Sequence, residues 1–314
     1  MSSHDVATGS GARPRRSCLA VPASNERMIE KAAQLPVDHV FFDLEDATVP
    51  EEKAGARTKV VDALNALDFG ARTVAIRMND VRTRFAYRDV VEVVSGAGRH
   101  LDCVIIPKVQ HASDVHFVDH LLSGLERELG LEHRIGIEVL IETTQGAVEL
   151  REIVRASTRT EALIFGPGDY SLDLGVLRFE IGTADARYPG HQWHWVMCEI
   201  ANHARAAGIQ AIDGPCVDFG DEEGYMALAL SAKLLGFEGK WCIHPNQIPW
   251  ANAAFTVSES EIVRARSVLE AYAASRANGH GAAVFDGIMI DDATRKIAEL
   301  ILERAGSSRG GEQE

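Results

Sequence analysis

Short apolar runs, rich in Val and Ile or bounded by turn residues, recur along the chain. They span Cys18–Ala23, His39–Leu44, Thr73–Met78, Cys103–Pro107, Ile135–Ile141, Ala162–Gly166, Ile209–Gly214 and Trp241–His244. Amphipathic helical patterns lie between most of them, among them Asn25–Gln34, Glu52–Leu67, Ser113–Leu129, Ala147–Ala156, Trp193–Ala207 and Glu222–Leu235. Strand–helix alternation of this kind implies a parallel sheet. Its extent matches a (β/α)8 TIM barrel, typically ~250 residues. A doubly wound open sheet is the rival, but the glycine fingerprint expected after its first strand is missing.

The pattern continues past the eighth strand. Ser258–Ser275 reads as a helix, then come a Gly-rich loop, the apolar stretch Val284–Asp291 and a last helix to about Arg304. The expected organisation is a disordered tail at 1–14, a barrel at 15–255, a C-terminal helical arm at 256–304 and a disordered tail at 305–314. The arm is too short for an independent domain and is expected to pack on the barrel or, as argued from its apolar stretch, on a neighbouring subunit.

Composition narrows the function. The 314 residues carry a formal charge of −14 and no long basic tract, which argues against nucleic-acid and anionic-membrane partners. No apolar stretch approaches the ~18 residues of a membrane span. The five cysteines form no CxxC pair and most lie in apolar runs, as reduced thiols of a cytoplasmic protein do. No serine has G-x-S-x-G context, and neither His116/His120 nor His191/His194 belongs to an HExxH motif.

The strand ends carry the candidate chemistry. Strand 2 presents Asp43, Glu45 and Asp46; strand 3, Arg77 and Asn79; strand 4, Lys108; strand 5, Glu142; strand 6, Asp169; strand 7, Asp213; and strand 8, His244. Ligands of parallel α/β proteins gather at the carboxyl ends of the strands. Two carboxylates there, Glu142 and Asp169, are hard oxygen donors suited to Mg²⁺. Each residue also has a plainer reading. Glu142 could cap the next helix, Asp169 could serve a turn, and Arg77 could pair structurally with Asp43 or Glu45. His244 and Asp213 read more readily as internal hydrogen-bonding groups.

These residues fall in motifs that resemble the citrate lyase β-subunit-like proteins of the HpcH/HpaI aldolase superfamily, most of all the L-malyl-CoA/β-methylmalyl-CoA lyases. The motifs are Arg16-Ser-Cys-Leu-Ala-Val-Pro-Ala-Ser-Asn-Glu-Arg27, Phe42-Asp-Leu-Glu-Asp, Ile76-Arg77-Met-Asn, Ile106-Pro-Lys108, Ile141-Glu142-Thr, Gly166-Pro-Gly-Asp169-Tyr, Ala211-Ile-Asp-Gly-Pro, Gly239-Lys-Trp-Cys-Ile-His-Pro and Gly287-Ile-Met-Ile-Asp291. The resemblance spans roughly residues 15–300. It implies a homotrimer or hexamer that uses Mg²⁺, with Mn²⁺ as an alternative, to cleave or form a β-hydroxyacyl-CoA such as malyl-CoA. The products would be a 2-oxo acid (glyoxylate) and acetyl- or propionyl-CoA. Glu142 and Asp169 resemble the metal ligands, and Arg77 the group that binds the thioester oxygen. Asp291 resembles an acid/base supplied by a neighbour's arm. Arg77, Glu142, Glu45, Asp46 and Lys108 are the expected substrate contacts, and Arg27 and Arg16 the expected coenzyme A contacts. Alternatives are a malyl-CoA thioesterase, a citramalyl- or citryl-thioester lyase subunit, and a CoA-independent 2-oxo acid aldolase. The stretch 178–195 is longer than in the smaller citrate lyase subunits.

Overall fold

The computed structural model describes residues 13–176, 179–183, 185, 187–188 and 191–310. Eight parallel strands close into a barrel: β1 (Ser17–Pro22), β2 (His39–Asp43), β3 (Thr73–Arg77), β4 (Cys103–Ile106), β5 (Gly136–Ile141), β6 (Thr160–Phe165), β7 (Gln210–Asp213) and β8 (Gly239–Cys242). Pairing of Ser17 with Lys240 and Leu19 with Cys242 joins β1 to β8 and leaves no open edge. The helices are α1 (Glu26–Ala32), α2 (Lys53–Ala66), α3 (Ala86–Ala97), α4 (Ala112–Leu129), α5 (Thr144–Val148), α6 (Leu150–Ile153), α7 (Pro167–Asp173), α8 (His194–Ala207), α9 (Glu222–Leu235), α10 (Gln247–Phe255), α11 (Glu259–Ala277) and α12 (Asp292–Gly310).

Local chemistry sets these boundaries. Asn25 accepts the Met28 N–H to start α1, and Ser258 with Glu261 forms a capping box at α11. Gly130 ends α4 with φ of 62°, a left-handed conformation that glycine adopts without a Cβ clash. The helix expected over 147–156 is instead two short ones, α5 and α6. Glu149, at φ −92° and ψ 8°, breaks it.

Strand alternation sorts the core into layers. Inward residues Cys18, Phe41, Ala75, Ile105, Leu140, Ile164, Ile212 and Trp241 fill the barrel, while outward ones pack against the helices. At the amino-terminal end of the strands the interior closes with charge. Arg15 donates to Glu138 (2.8 Å), Gln210 (2.7 Å) and Glu161 (2.6 Å), and His39 Nε2 lies 3.3 Å from Glu138. Burial alone would raise the Glu138 carboxyl, but His39 and Arg15 outweigh it and hold the group well below the carboxylate range. Its contribution to stability is therefore complete at neutral pH. It declines as pH drops below the unfolded value of ~4.3 and is lost as pH falls through the native value. Glu138→Gln is expected to lower unfolding free energy by about 3 kcal/mol, the low end for a broken buried pair, because Glu161 still faces Arg15. Urea denaturation at pH 7 checks this.

The chain divides into two compact units, 1–255 and 256–314. In the second, α11 and α12 pack through Ala265, Val268, Tyr272 and Ala298. The apolar stretch before α12 is an antiparallel hairpin, β9 (Ala283–Phe285) and β10 (Ile288–Ile290). Its two-residue turn is Asp286-Gly287, with φ of 49° and 74°, matching a twist that Asp-Gly favours.

The tail boundaries need correction at both ends. Arg13 pairs with Glu161 and Asp102 and belongs to the barrel. The last helix runs to Gly310, with Ala305 buried, rather than ending near Arg304. Residues 1–12 and 311–314 lie outside the described residues. Among the described residues, no helix is long and apolar enough to cross a membrane.

Candidate active site

The alternation that turns Phe41, Ala75 and Leu140 into the barrel also turns Asp43, Arg77 and Glu142 inward, two residues further on. Parallel register sets Asp43 beside Arg77. Arg77 donates to Asp43 through Nε (2.8 Å) and Nη2 (2.6 Å), a bidentate pair. Its third corner, Nη1, lies 3.2 Å from Glu45 and 3.6 Å from Asp46. Against the cost of burial, Asp43 keeps Arg77 charged, and Arg77 lowers the Asp43 carboxyl. The structural pair expected as the plainer reading exists, and it leaves one guanidinium corner toward the acidic loop.

Glu142 does not cap the next helix. Thr143 does, accepting the Gly146 N–H at 2.9 Å. Glu142 accepts the Lys108 backbone N–H at 2.8 Å, and its carboxylate lies against Gly166. A Cβ at Gly166 would stand 2.6 Å from Glu142 Oε2, so only glycine fits there. Asp169 follows in the first turn of α7, partly exposed.

Lys108 holds φ of 51°, a left-handed conformation costly for a side chain with a Cβ. Its ammonium bonds Glu45 (2.7 Å) and lies 3.4 Å from Asp46 and 3.5 Å from Asp169. Although burial opposes the charge, Glu45 holds Lys108 protonated, which disfavours Schiff-base chemistry. Behind the loop, buried Lys53 donates to the carbonyls of Leu44 and Glu45 at 2.8 and 2.9 Å, and Asn79 donates to Leu44 at 2.9 Å.

The carboxylates raise one another. Burial, then Asp46, pushes Glu45 up to about 7 despite Arg77 and Lys108. Burial, together with Glu45 and Asp169, pushes Glu142 well above its ordinary range despite Arg77 and Lys108. A cation between Glu142 and Asp169 would relieve that cost. Among the described residues no group of three or more His, Cys, Asp or Glu is disposed to hold a metal. Two carboxylates nonetheless suit Mg²⁺, which retains several waters and takes one or two protein carboxylates.

Part of this cluster faces a cleft of about 820 Å³ over the carboxyl ends of the strands. Asp43, Asp46, Arg77, Glu142 and Asp169 form its polar side. Leu172, Val176, Phe179, Ile181, Val217 and Ile243 form an apolar wall that the sequence pattern did not single out. Phe179 and Ile181 come from the long stretch before α8, whose Trp193 anchors it against Phe165 and Tyr170. Within that stretch Arg178, Ala184, Ala186, Pro189 and Gly190 lie outside the described residues.

Not every candidate reaches the cleft. Arg16 is a correction. It precedes β1, at the amino-terminal end of the barrel, and pairs with Asp38 through Nε at 2.7 Å. Arg15 is buried at that same end. Arg27 stands exposed in α1, past the carboxyl end of β1. Asp213 accepts from Lys240 (2.5 Å) and the Gly214 N–H, an internal role. His244 accepts the Asn246 N–H and stacks on Phe219. Asp291 belongs to the second unit. It accepts the Thr294 N–H (3.1 Å) as the cap of α12, and that bond lowers its carboxyl.

Fold and site together define a (β/α)8 barrel enzyme whose acidic mouth is fitted for a divalent cation. The profile of the HpcH/HpaI aldolase/citrate lyase family matches residues 16–245, and the chain belongs to that family, a carbon–carbon lyase by this membership. It is 40% identical over 303 residues to the L-malyl-CoA/beta-methylmalyl-CoA lyase of Cereibacter sphaeroides, covering 94% of this chain and 95% of the relative. It is 33% identical to the malyl-CoA/beta-methylmalyl-CoA/citramalyl-CoA lyase of Chloroflexus aurantiacus, over 93% of this chain and 88% of that one. Among solved structures, it is similar to CitE of Mycobacterium tuberculosis in complex with magnesium, acetoacetate and coenzyme A. The TM-score is 0.76 at 31% identity, with 94% of this chain and 99% of that chain covered.

Proposed function

We propose that the chain is a Mg²⁺-dependent lyase that cleaves, or in reverse forms, a β-hydroxyacyl-CoA of the malyl-CoA type, releasing glyoxylate and acetyl- or propionyl-CoA. The observation that carries this reading is the juxtaposition of a paired, permanently charged Arg77 with the carboxylates Glu142 and Asp169 in one cleft. The near-full-length likeness to malyl-CoA lyases supports the substrate class.

Glu142 and Asp169 would hold Mg²⁺, with Mn²⁺ able to replace it. The bound cation supplies Lewis-acid polarisation of the hydroxyl oxygen that becomes the oxo-acid carbonyl. The remaining steps belong to the chain. Breaking the Cα–Cβ bond leaves its electron pair on the acyl-CoA fragment as a thioester enolate. Arg77 Nη1 faces that oxygen with a donor that does not deprotonate. Asp43 holds the guanidinium in place. Lys108, bonded to Glu45 and close to Asp46, offsets part of the loop's negative charge where the substrate carboxylate would sit. The substrate hydroxyl loses its proton as its oxygen becomes the carbonyl, and the enolate carbon gains one; Asp291 of a neighbouring subunit is the group we assign to take the first as base and return it to carbon as acid. Its lowered carboxyl is a poor acid in the free arm, and burial against a neighbour would raise it. Exposure of Val284 (75%) and Met289 (67%) on the hairpin supports such docking, in a homotrimer or hexamer. Arg27 is the remaining candidate for a coenzyme A phosphate. Five free cysteines suit a reducing cytoplasm.

Incubation with Mg²⁺ and malyl-, methylmalyl-, citramalyl- and citryl-CoA, followed by mass analysis, tests the reading. Glyoxylate with acetyl- or propionyl-CoA is the expected outcome. Free CoA with the intact hydroxy acid would establish a thioesterase instead. In a calorimetric titration, Asp169→Asn is expected to weaken Mg²⁺ binding by ~10²-fold while the thermal transition stays unchanged.

A further inference from the structure

We propose that Trp241 is a positioning residue for Arg77, its indole face fixing the tilt of the guanidinium. The inference rests on reading Arg77 as the donor to the thioester oxygen. Trp241 is 4% exposed and belongs both to the barrel interior and to the cleft lining. The Arg77 guanidinium carbon stands over its ring, 5.6 Å from the centroid. Phe41 packs against the indole at 4.4 Å between centroids, with planes inclined at 41°. Strands β3 and β8 are not neighbours, since β1 and β2 lie between them, so this contact crosses the barrel mouth.

Two constraints then act on one guanidinium. The bidentate pair with Asp43 fixes its position in its own plane, yet a planar group held along one edge can still rock about that edge. An indole face under the guanidinium carbon opposes the rocking and keeps Nη1 aimed at the cleft. The indole N–H supports a role for the face. That nitrogen is buried and has no hydrogen-bond partner among the described residues. A phenylalanine would fill much of the space without orphaning a donor. Tryptophan offers instead the strongest attraction for a cation over its ring.

Fluorination tests this without altering shape, because each fluorine withdraws charge from the ring face. Fluorotryptophans with one, two and three fluorines are placed at position 241 alone, and kcat, KM and Mg²⁺ affinity are measured. The expected result is a stepwise fall in kcat, about tenfold across the series. KM and Mg²⁺ affinity should stay within about twofold, since fluorine leaves the ring's shape, and so its share of the cleft lining, nearly unchanged. The same residues at Trp250, packed on Tyr225, should leave kcat unchanged. A flat series at position 241, or an equal slope at position 250, overturns the proposal. Arg77→Lys separates this failure from failure of the underlying reading. A flat series beside a large Arg77→Lys loss removes only the part given to Trp241. An Arg77→Lys enzyme within tenfold of wild type removes Arg77 as donor, and this inference with it.

Discussion

Asn in place of Asp291 is expected to lower turnover by about 10²–10⁴-fold, the usual contribution of a positioned acid or base. Folding and Mg²⁺ binding should persist, because Asn is itself a good helix cap and can accept the Thr294 N–H that starts α12. The loss should be repairable from outside the mutated chain. Asp291 follows a hairpin whose apolar residues are exposed, and a second copy of the chain would cover them. Asp291→Asn and Asp169→Asn oligomers should each be inactive. Dissociated and reassembled together, they should regain part of the wild-type rate, since some sites then combine an intact metal pair with an intact Asp291. No recovery in mixed oligomers verified by mass would restrict Asp291 to its own chain's site or remove it from catalysis.

Arg77→Lys is expected to reduce kcat by ~10²–10³-fold, as removal of an oxyanion donor does elsewhere. Lysine keeps the charge but not the fork. Its single ammonium cannot hold both Asp43 oxygens and still present a donor toward Glu45 and the cleft. KM should change less than kcat, since the enolate oxygen carries full charge only as the bond breaks. Steady-state kinetics on malyl-CoA measures both. A kcat change below about tenfold would leave Arg77 a structural partner of Asp43.

The barrel was legible because its strands are buried on both faces and read as continuous apolar runs. Polar groups of the cleft were legible where such a residue ends a run, as at Arg77 and Glu142. Arg16 misled for a physical reason. It adjoins a strand in sequence, but it precedes that strand, and residues before a barrel strand lie at the opposite end from those after it. The apolar wall escaped because Phe179 and Ile181 belong to a segment with neither strand nor helix period. Trp241 was visible as a strand residue. Its contact with Arg77 spans non-adjacent strands and depends on which face of β8 turns inward. The break at Glu149 depends on one residue's backbone angles and leaves no trace in hydrophobic spacing.

If the carboxylate pair and Arg77 direct a cation-dependent carbon–carbon cleavage, the products formed from malyl-CoA depend on the cation. The most direct measurement is the product ratio from malyl-CoA, read by mass on purified wild-type protein with Mg²⁺, with excess EDTA, and after Mg²⁺ is restored. Equal amounts of glyoxylate and acetyl-CoA are expected with Mg²⁺, none in EDTA, and recovery on readdition. Undiminished cleavage in EDTA, or malate and free CoA in place of glyoxylate, would contradict it.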